Sequence, residues 1–516
     1  MATSEHHSTS FSKVIDFYRG QTIFITGATG FIGKVLLEKL LRTCPEIERI
    51  YVLMRSNRDG TISPSQRLAD LLASKAFTFS EKTLPLKKVT HVTGDMTAPG
   101  LGLSQSDRQL LRDQVSVIFH VAATVKFHGP LNKFVKQNVL GTESIMKLAL
   151  EMKRLQSVIY VSTAYANCNL LEIEEKVYPL STGTAQQMID QIMEENSDQT
   201  PLEGDPKLLG RPNSYTLSKS IAENLIREKY WNKLPVLICR PSIVTHSYCE
   251  PTPGWCDNIN NLAGVLLLGY VGITRTMECN CDYQADIIPV DFVANSLIVS
   301  GWYAAQQYQA YNNCSSTTRM EVVHISSGIH NPITWGQITD LCRDYALKKP
   351  TTKQIRPMAK NPINARNPLG KINHLLVKFF SQLLFAYIFD FILLITRKER
   401  FMVKVTHKMH IAHDVIQHFS KRQWIFRADN YRHILNQLET NDRKLFLSDI
   451  LRINWPDYCD NVVTGMRRYM LNEDDSTIEA AKKRSLLLNI IYGTIEGILY
   501  LTVFGMLLFI VHSQIV

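Results

Sequence analysis

Residues 22–33 read TIFITGATGFIG, and this stretch decides the fold. Its opening residues are apolar, β-branched or aromatic, which predicts a buried strand. The amphipathic pattern GKVLLEKLLRTC follows over 33–44 and predicts a helix. Glycines at a strand-to-helix turn let the backbone approach a pyrophosphate closely, and the helix N-terminus favours its negative charge. We therefore expect a dinucleotide to bind at this turn, through Gly27, Thr29, Gly30, Phe31, Ile32 and Gly33.

The same alternation of strand and helix patterns continues through the N-terminal half. Short apolar runs are separated by amphipathic segments, an order that is typical of a parallel sheet with helices on both faces. The expected fold class is therefore α/β, with a Rossmann-type doubly wound parallel sheet. The runs that predict its further strands are 50–54, 88–94, 115–120, 157–163 and 235–240.

Composition limits the class of protein. The chain has 516 residues and a formal net charge of +10, so at roughly 100–200 residues per domain it is long enough for several domains. The basic excess suits anionic partners such as membrane surfaces or phosphates, or equally a solvated surface. The Lys and Arg residues form no long run, which argues against nucleic acid as a partner. The cysteines show neither zinc nor disulfide spacing, so we expect no metal and a reducing, cytosolic setting.

Changes of pattern along the chain predict its domains. Residues 18–345 are expected to form the nucleotide-binding domain, and loops rich in Gly, Pro and aromatic residues over about 245–345 are expected to shape the substrate site. A basic, proline-containing linker over 346–369 and a smaller helical domain over 370–475 should follow. The order thus places a helical part after the α/β part.

The C-terminal run 485–511 is almost entirely apolar, with Glu496 as its only charge. About 20 apolar residues span the hydrocarbon core of a bilayer. The run therefore predicts a transmembrane or membrane-embedded helix, with a hairpin, an interfacial helix or a buried core helix as alternatives. Basic residues precede it at 482–484, and by the positive-inside tendency they keep the catalytic part in the cytosol.

A second apolar run, HLLVKFFSQLLFAYIFDFILLI, covers 374–395. Lys378 and Asp390 interrupt it and leave only eleven uncharged residues between them. That length is short for a span, so the pattern favours a helix on the membrane surface or one that lines a hydrophobic tunnel.

The ends of the second, third and fourth predicted strands carry further cofactor candidates. Dinucleotide folds that bind NAD place an acidic residue after the second strand, but this chain has Arg55 there and Arg58 nearby. A guanidinium holds a 2′-phosphate, so the pattern favours NADPH over NADH. Asp95 could accept the adenine amino group, and Ala122 and Ala123 leave room for the cofactor.

The stretch NSYTLSK at 213–219 carries the candidate catalytic pair, Tyr215 and Lys219. Four residues apart on a helix, they lie on one face. A nearby ammonium lowers the pKa of a phenol, so Tyr215 is expected to donate a proton to a substrate carbonyl while Lys219 assists and binds the cofactor ribose. After the fifth strand, Thr163, with Ser162 second, is expected to polarise the same carbonyl.

These motifs together resemble the extended short-chain dehydrogenase/reductases. The stretches VAATVKF, VSTAYANC, RPSIV, PGWCDNINN and IPVDFV are similar to the alcohol-forming fatty acyl-CoA reductases of animals. The resemblance covers about 18–475 and includes that family's helical C-terminal domain.

The resemblance implies an enzyme that reduces long-chain acyl-CoA to a primary fatty alcohol with two NADPH, through an aldehyde. The apolar C-terminal run suits this chemistry, because a long acyl chain and its alcohol enter a lipid bilayer. With no address signal such as SKL or KDEL, the endoplasmic reticulum, the peroxisome and the lipid droplet all remain open as its location, and so does the oligomeric state. Arg211 and Arg240 are guesses for CoA contacts, and Arg240 is the more structural of the two.

Other readings remain beside this one. The chain could be another membrane-bound member of the superfamily, such as a sterol dehydrogenase or a sugar-nucleotide epimerase, or an aldehyde-forming acyl-CoA reductase. A non-catalytic, nucleotide-bound membrane scaffold is the alternative from a different class.

Overall fold

A computed structural model of the chain describes residues 12–57, 59–79, 83–259, 262–313, 319–359 and 368–515, the last fourteen of these by their backbone alone. Its strands alternate with helices through the first half of the sequence, as expected. In chain order the strands are β1 Thr22–Thr26, β2 Arg49–Met54, β3 Val89–Thr93, β4 Val117–His120, β5 Ser157–Val161, β6 Glu172–Ile173, β7 Val236–Pro241, β8 Ile243–Thr245, β9 Ile287–Pro289, β10 Val322–Ile325 and β11 Ile425–Phe426.

The helices dominate the second half of the chain. In chain order they are α1 Lys13–Tyr18, α2 Phe31–Thr43, α3 Pro64–Leu72, α4 Gln105–Gln114, α5 Leu131–Phe134, α6 Gly141–Glu151, α7 Ala185–Glu195, α8 Ser214–Lys229, α9 Leu262–Tyr270, α10 Val290–Asn313, α11 Trp335–Lys348, α12 Pro368–Leu376, α13 Phe385–Ile395, α14 Met402–Ser420, α15 Asp429–Asn436, α16 Thr440–Leu445, α17 Trp455–Gly465 and α18 Ile478–Ile515.

Among the described residues, seven parallel strands form the central sheet in the order β10-β7-β5-β4-β1-β2-β3. The order reverses at β1, which pairs with β2 on one side and with β4 on the other. Ligands of open α/β sheets bind at such a reversal, at the carboxyl ends of the strands. The Rossmann-type sheet predicted from the sequence is therefore confirmed.

Apolar side chains from strands and helices build one core around this sheet. Phe24, Ile118 and Ile238 contribute from three strands, and Ile221 and Leu225 cover them from α8, each at most 1% exposed. The long helix α8 is thus fixed to the sheet by its apolar face, which determines where its other side chains lie.

The chain folds into two compact units, and neither is continuous in sequence. The first consists of Met1–Trp255, Asp286–Pro332 and Trp424–Ile453 and contains the sheet; the second consists of Cys256–Ala285, Ile333–Gln423 and Asn454–Val516 and is helical. Segments of the region 245–345 belong to both units.

Both apolar runs are helical. The C-terminal run lies within α18, a helix of 38 residues. Among the described residues, one helix, Leu369–Ile395, is long and apolar enough to cross a membrane by length and composition, and only 17% of its most apolar window is buried. The internal run 374–395 thus has the length and composition of a membrane span, whereas the sequence pattern had favoured a helix on the membrane surface or one that lines a tunnel.

Candidate active site

The glycine turn between β1 and α2 has the geometry of a backbone cradle. Gly27 has a φ of +78°, and a Cβ built on it would lie 2.7 Å from the backbone nitrogen of Ala122. A Cβ on Gly33 would lie 2.2 Å from the carbonyl oxygen of Gly27. Both positions therefore require glycine, and the first N–H groups of α2 stay open to a phosphate.

The remaining residues of the turn complete this cradle. Gly30 is the N-cap of α2 and lends it no side-chain hydrogen bond. Thr29 is exposed beside it, and Ile32 is partly exposed. The ring of Phe31 stacks on Trp255, with centroids 5.5 Å apart. Trp255, from the motif PGWCDN, thus packs against the glycine turn, a contact that sequence reasoning had not assigned to it.

The loop after β4 lies directly against the turn. The backbone nitrogen of Ala122 donates to Thr26 Oγ1 at 3.2 Å, and Thr26 Oγ1 also bonds His120 Nδ1 at 2.7 Å. Ala122 and Ala123 are both partly exposed. These small residues therefore leave a shallow surface beside the glycines, as a flat-lying dinucleotide needs.

The two described residues chosen for the adenosine end contact each other. Arg55 is about half exposed, and its Nη1 donates to Asp95 Oδ2 at 3.0 Å. Asp95 Oδ1 accepts from the backbone and hydroxyl of Thr97, both at 2.8 Å. Burial raises the pKa of Asp95, but hydrogen bonds from Thr97 and Arg55 outweigh it and leave the pKa lowered. Arg58 lies outside the described residues.

Tyr215 and Thr163 meet at the carboxyl end of the sheet. The Thr163 hydroxyl accepts from the backbone nitrogen of Tyr165 at 3.3 Å and lies close enough to the Tyr215 phenol to lower its pKa. Ser162 is buried, and its Oγ has no hydrogen-bond partner among the described residues. Of the two candidate hydroxyls, Thr163 is the one that acts on the pKa of the phenol.

Lys219 lies deeper than Tyr215. Its Nζ donates to the carbonyl oxygen of Val161 at 2.6 Å and lies 4.7 Å from the centre of the Tyr160 ring. Burial lowers the pKa of Lys219 to about 7, and Glu223 opposes this shift. At neutral pH the Lys219 side chain is therefore present in both its charged and its neutral form.

The pKa of Tyr215 differs in direction from the sequence expectation. Burial raises the pKa, and only the neighbouring Thr163 hydroxyl acts to lower it. The physical reason is that the ammonium of Lys219 is directed to the strand carbonyl of Val161. The phenol consequently keeps its proton at neutral pH, which suits a proton donor.

A framework of polar residues holds this constellation together, and sequence reasoning had not named it. Asn213 caps α8 by accepting from the backbone nitrogen of Thr216 at 3.0 Å. Asn138 bonds both backbone groups of Thr124 and donates to Ser218 Oγ at 2.9 Å. The Asn before SYTLSK is a recognisable capping signal; the role of Asn138 has no local signal, because its partners are distant in sequence.

The loop from 121 to 129 connects the glycine turn to the phenol. At its start, Ala122 contacts the turn, and near its end the ring of Phe127 lies edge-on to Tyr215 at 5.9 Å. Ser214 Oγ donates to the carbonyl oxygen of Gly129 at 3.1 Å. The motif VAATVKF thus joins the nucleotide and catalytic parts of one site.

The two arginines guessed as CoA contacts are structural. Arg211 is buried and donates to the carbonyl oxygen of Ala166 at 2.7 Å and to Asn167 and Ser220. Arg240 is fully buried and makes a bidentate pair with Glu223 at 2.6 and 2.8 Å. Neither guanidinium is accessible to a CoA phosphate, so the guess is wrong for both.

Comparison with known proteins agrees with this geometry. A family model described as "Male sterility protein" matches residues 25–297, and a second with the same description matches 381–473. Fatty acyl-CoA reductase 1 of Xenopus laevis is 36% identical over 93% of this chain and 91% of its own length. Its human counterpart is 34% identical over the same shares, and fatty acyl-CoA reductase 2 of Mus musculus is 32% identical over 96% and 94%.

Solved structures support the fold alone. The reductase domain of a nonribosomal peptide synthetase from Mycobacterium tuberculosis has a TM-score of 0.54 and 20% identity, over 86% of this chain and 91% of that one. The terminal R domain of the myxalamid pathway has a TM-score of 0.52 and 21% identity, over 87% and 90%.

The resemblance seen in the motifs is confirmed, and so is a nicotinamide dinucleotide as the class of cofactor. With relatives above 30% identity along nearly their whole lengths, the chain belongs to the fatty acyl-CoA reductase family.

Proposed function

We propose that this chain reduces long-chain fatty acyl-CoA to the primary fatty alcohol with NADPH. The observation that carries the proposal is the proximity of the Thr163 hydroxyl to the Tyr215 phenol, at the end of the strand beside the glycine cradle. Family membership supplies the substrate class, since the relatives are named fatty acyl-CoA reductases. The backbone cradle at Gly27 and Gly33 fits a dinucleotide pyrophosphate.

The bound nicotinamide supplies a hydride to the carbonyl carbon of the substrate. Thr163 donates a hydrogen bond to the carbonyl oxygen and stabilises the negative charge that develops there. Tyr215 gives the same oxygen its proton. After the first reduction the carbon–sulfur bond breaks, the CoA thiol leaves, and an aldehyde remains. The same two hydroxyls then serve the aldehyde, whose reduction gives the alcohol.

Lys219 restores the proton that Tyr215 gives up. A phenol that ordinarily holds its proton becomes a strong base once deprotonated, so it takes a proton back from a donor of lower pKa. Because burial brings the pKa of Lys219 to about 7, its ammonium can pass a proton on at neutral pH. Lys219 is thus assigned the role of proton reservoir, besides contact with the cofactor ribose.

The preference for NADPH rests on Arg55, with Arg58 beside it in sequence. The Arg55 guanidinium is half exposed at the carboxyl end of β2, where a 2′-phosphate would lie. Its present partner, Asp95, would share it with the phosphate or release it. A carboxylate that accepts ribose hydroxyls is absent from this position, which disfavours NADH.

Membrane attachment through α18 completes the proposal. This helix contains the run 485–511, and most of its described large apolar residues up to Leu501 are exposed. The preceding basic residues, Lys482, Lys483 and Arg484, favour a cytosolic reductase. Acyl chains and fatty alcohols enter bilayers with about 0.8 kcal/mol per CH₂ group, so an anchored enzyme meets its substrate and releases its product there. The endoplasmic reticulum and the peroxisome are the membranes we propose.

The direct test is product analysis with the full chain in phosphatidylcholine vesicles. With hexadecanoyl-CoA and NADPH we expect hexadecanol and free CoA thiol, with two NADPH oxidised per alcohol. Oxidation of NADPH that stops at the aldehyde would reduce the proposal to an aldehyde-forming enzyme. A complete absence of product across acyl chain lengths would refute it.

A further inference from the structure

The helix from Pro368 to Ile395 presents a continuous apolar surface to the outside. It is formed by α12, a π-helical segment Val377–Leu384 and α13, and at 1.5 Å per residue it is about 40 Å long. Thirteen of its large apolar side chains are between 42% and 76% exposed: Leu369, Ile372, Leu375, Leu376, Phe379, Phe380, Leu384, Tyr387, Ile388, Phe391, Ile392, Leu394 and Ile395. Monomeric soluble proteins rarely leave such a surface uncovered.

The opposite face of this helix faces α14 and carries polar or small residues at every fourth position: His374, Lys378, Gln382, Ala386 and Asp390. Gln382 and His410 are hydrogen-bonded at 3.0 Å, and Lys378 lies 3.9 Å from Asp414. Gln382, Ala386 and Asp390 are at most 8% exposed. One face of the helix is therefore polar and packs against protein, and the other face is apolar and exposed.

The π-helical segment explains how a four-residue spacing stays on one side. In a regular α-helix, residues four apart overshoot a full turn by about 40°, so the stripe would wind around the helix. The i→i+5 bonds of Val377–Leu384 place more residues in each turn and oppose that rotation. The apolar face is consequently kept whole along the helix.

Asp390 fixes the helix and α14 as an antiparallel hairpin. Its Oδ1 accepts from the backbone nitrogens of Phe401 and Met402 at 3.1 and 2.9 Å, and its Oδ2 accepts from Val403 at 2.9 Å. The carboxylate thus caps the N-terminus of α14 from a position in the middle of α13. The charge that interrupts the apolar run in the sequence has a structural role within the hairpin.

The hairpin argues against a membrane span. Any bilayer that enclosed the helix on all sides would also enclose α14, which carries the exposed residues Lys404, His407, Lys408 and Asp414. Placing such charges in hydrocarbon is costly. A helix with one apolar face and one polar, protein-covered face instead suits a position in the plane of the interface.

Charge at both ends of the helix favours an anionic bilayer as the partner. Lys371 is exposed near its start, and Arg397, Lys398 and Arg400 are exposed just after its end. Basic residues beside an interfacial apolar face are attracted to anionic lipid headgroups. A second copy of this chain would bring the same positive charges together, which disfavours a self-association surface.

The surface also adjoins the start of the C-terminal anchor, within the same unit. Arg356 donates to the carbonyl oxygen of Ser381 and lies 4.0 Å from the centre of the Phe385 ring. Two residues earlier, the carbonyl oxygen of Gln354 accepts from Arg484, which directly precedes the apolar run of α18, at 3.0 Å. One short segment therefore links the exposed helix to the beginning of the anchor.

We propose that the helix Pro368–Ile395 is a second membrane contact, which lies in one leaflet with its apolar face in lipid and both of its ends on the cytosolic side. This inference goes beyond the proposed function, because lipid contact is required neither by the hydride chemistry nor by the α18 anchor. Together the two elements would hold the helical unit flat on the bilayer.

Photo-crosslinking in the full chain tests the lipid contact. We would place p-benzoylphenylalanine at Phe380 or Phe391, reconstitute the protein in vesicles of phosphatidylcholine and phosphatidylserine, and measure lipid adducts by mass spectrometry. Leu202, which is 71% exposed on the other unit, is the matched control position. We expect at least about tenfold more lipid adduct at positions 380 and 391 than at 202. Adducts that join two copies, adducts to added hexadecanoyl-CoA alone, or lipid yields equal to the control would overturn the proposal.

Amine labelling tests the orientation. In sealed microsomes, a membrane-impermeant amine reagent should modify Lys371 and Lys398 to similar extents before permeabilisation, since both ends of the helix would lie on the cytosolic side. Modification of only one of them until the membrane is opened would indicate a span and would contradict the interfacial position. Neither readout depends on reductase activity, so a failure here is distinct from a failure of the proposed function.

Discussion

Thr163 adjoins the Tyr215 phenol and lowers its pKa, whereas the Nζ of Lys219 donates to the carbonyl oxygen of Val161 at 2.6 Å. Burial has opposite effects on the two titratable groups. It keeps the phenol protonated and lowers the pKa of Lys219 to about 7. The proposed chemistry therefore depends on a protonated acid, Tyr215, and on a lysine that resupplies its proton.

The buried lysine predicts a pH dependence of stability. Its folded pKa, about 7, is below its unfolded value near 10.4, so between these values the unfolded chain binds a proton that the folded chain does not. The free energy of unfolding should therefore rise with pH across this window, by at most about 1.4 kcal/mol per pH unit. Urea unfolding of the wild type and Lys219→Met from pH 7 to 10 should show a steeper rise in the wild type, the difference between the two slopes being the contribution of Lys219. Equal slopes for both proteins would show that Lys219 is protonated throughout.

Arg55 predicts the choice between the two nicotinamide cofactors. Arg55→Ala should raise the KM for NADPH by about tenfold or more, through loss of the guanidinium–phosphate contact, and should change the KM for NADH little. Arg49→Ala, at the opposite end of the same strand, is the control and should change neither value. Similar losses with both cofactors would place Arg55 outside the 2′-phosphate site.

At the scale of elements, α8 places the phenol through its first turn. Asn213 caps that turn at 3.0 Å, and Tyr215 follows two residues later. Asn213→Ala should lower stability by about 1 kcal/mol and should also lower kcat, because the first turn loses its fixed position. Asn213→Asp should restore both properties.

The matched control for this cap is Ser63→Ala, which removes the cap of the surface helix α3, bonded at 3.2 Å. It should cost similar stability in thermal unfolding but leave kcat unchanged. If Asn213→Ala retained full kcat, the cap would be structural only.

The elements also show which parts of the structure can be predicted from sequence. Strands, the glycine turn and the order of motifs carry local signals, because apolar runs and glycine spacing report directly on burial and close approach. The ion pair of Arg55 with Asp95 and the hydrogen bonds of Asn138 join segments that are distant in sequence, so they leave no local pattern. The same holds for Arg211, whose burial only the packed turn at Ala166 and Asn167 reveals.

At the scale of the whole molecule, the proposed hydride chemistry and the proposed membrane contacts belong to different parts of one chain. The first unit contains the sheet, the glycine cradle and the candidate catalytic hydroxyls, while the second contains both apolar helices. On the proposed function, this division lets a Rossmann-type fold act on a lipid substrate. We therefore expect substitutions in the apolar helices and substitutions in the candidate active site to have different effects, the first on membrane binding and the second on the reaction.

The most direct test of the central claim is alcohol formation by Tyr215→Phe, measured beside NADPH affinity in the same preparation. The account predicts a loss of turnover of at least about 100-fold, with NADPH affinity within about twofold of the wild type, because the phenol supplies a proton and not the nucleotide site. Tyr308→Phe, which removes an exposed hydroxyl on α10, should retain full activity. Hexadecanol formation by Tyr215→Phe at the wild-type rate would contradict the account.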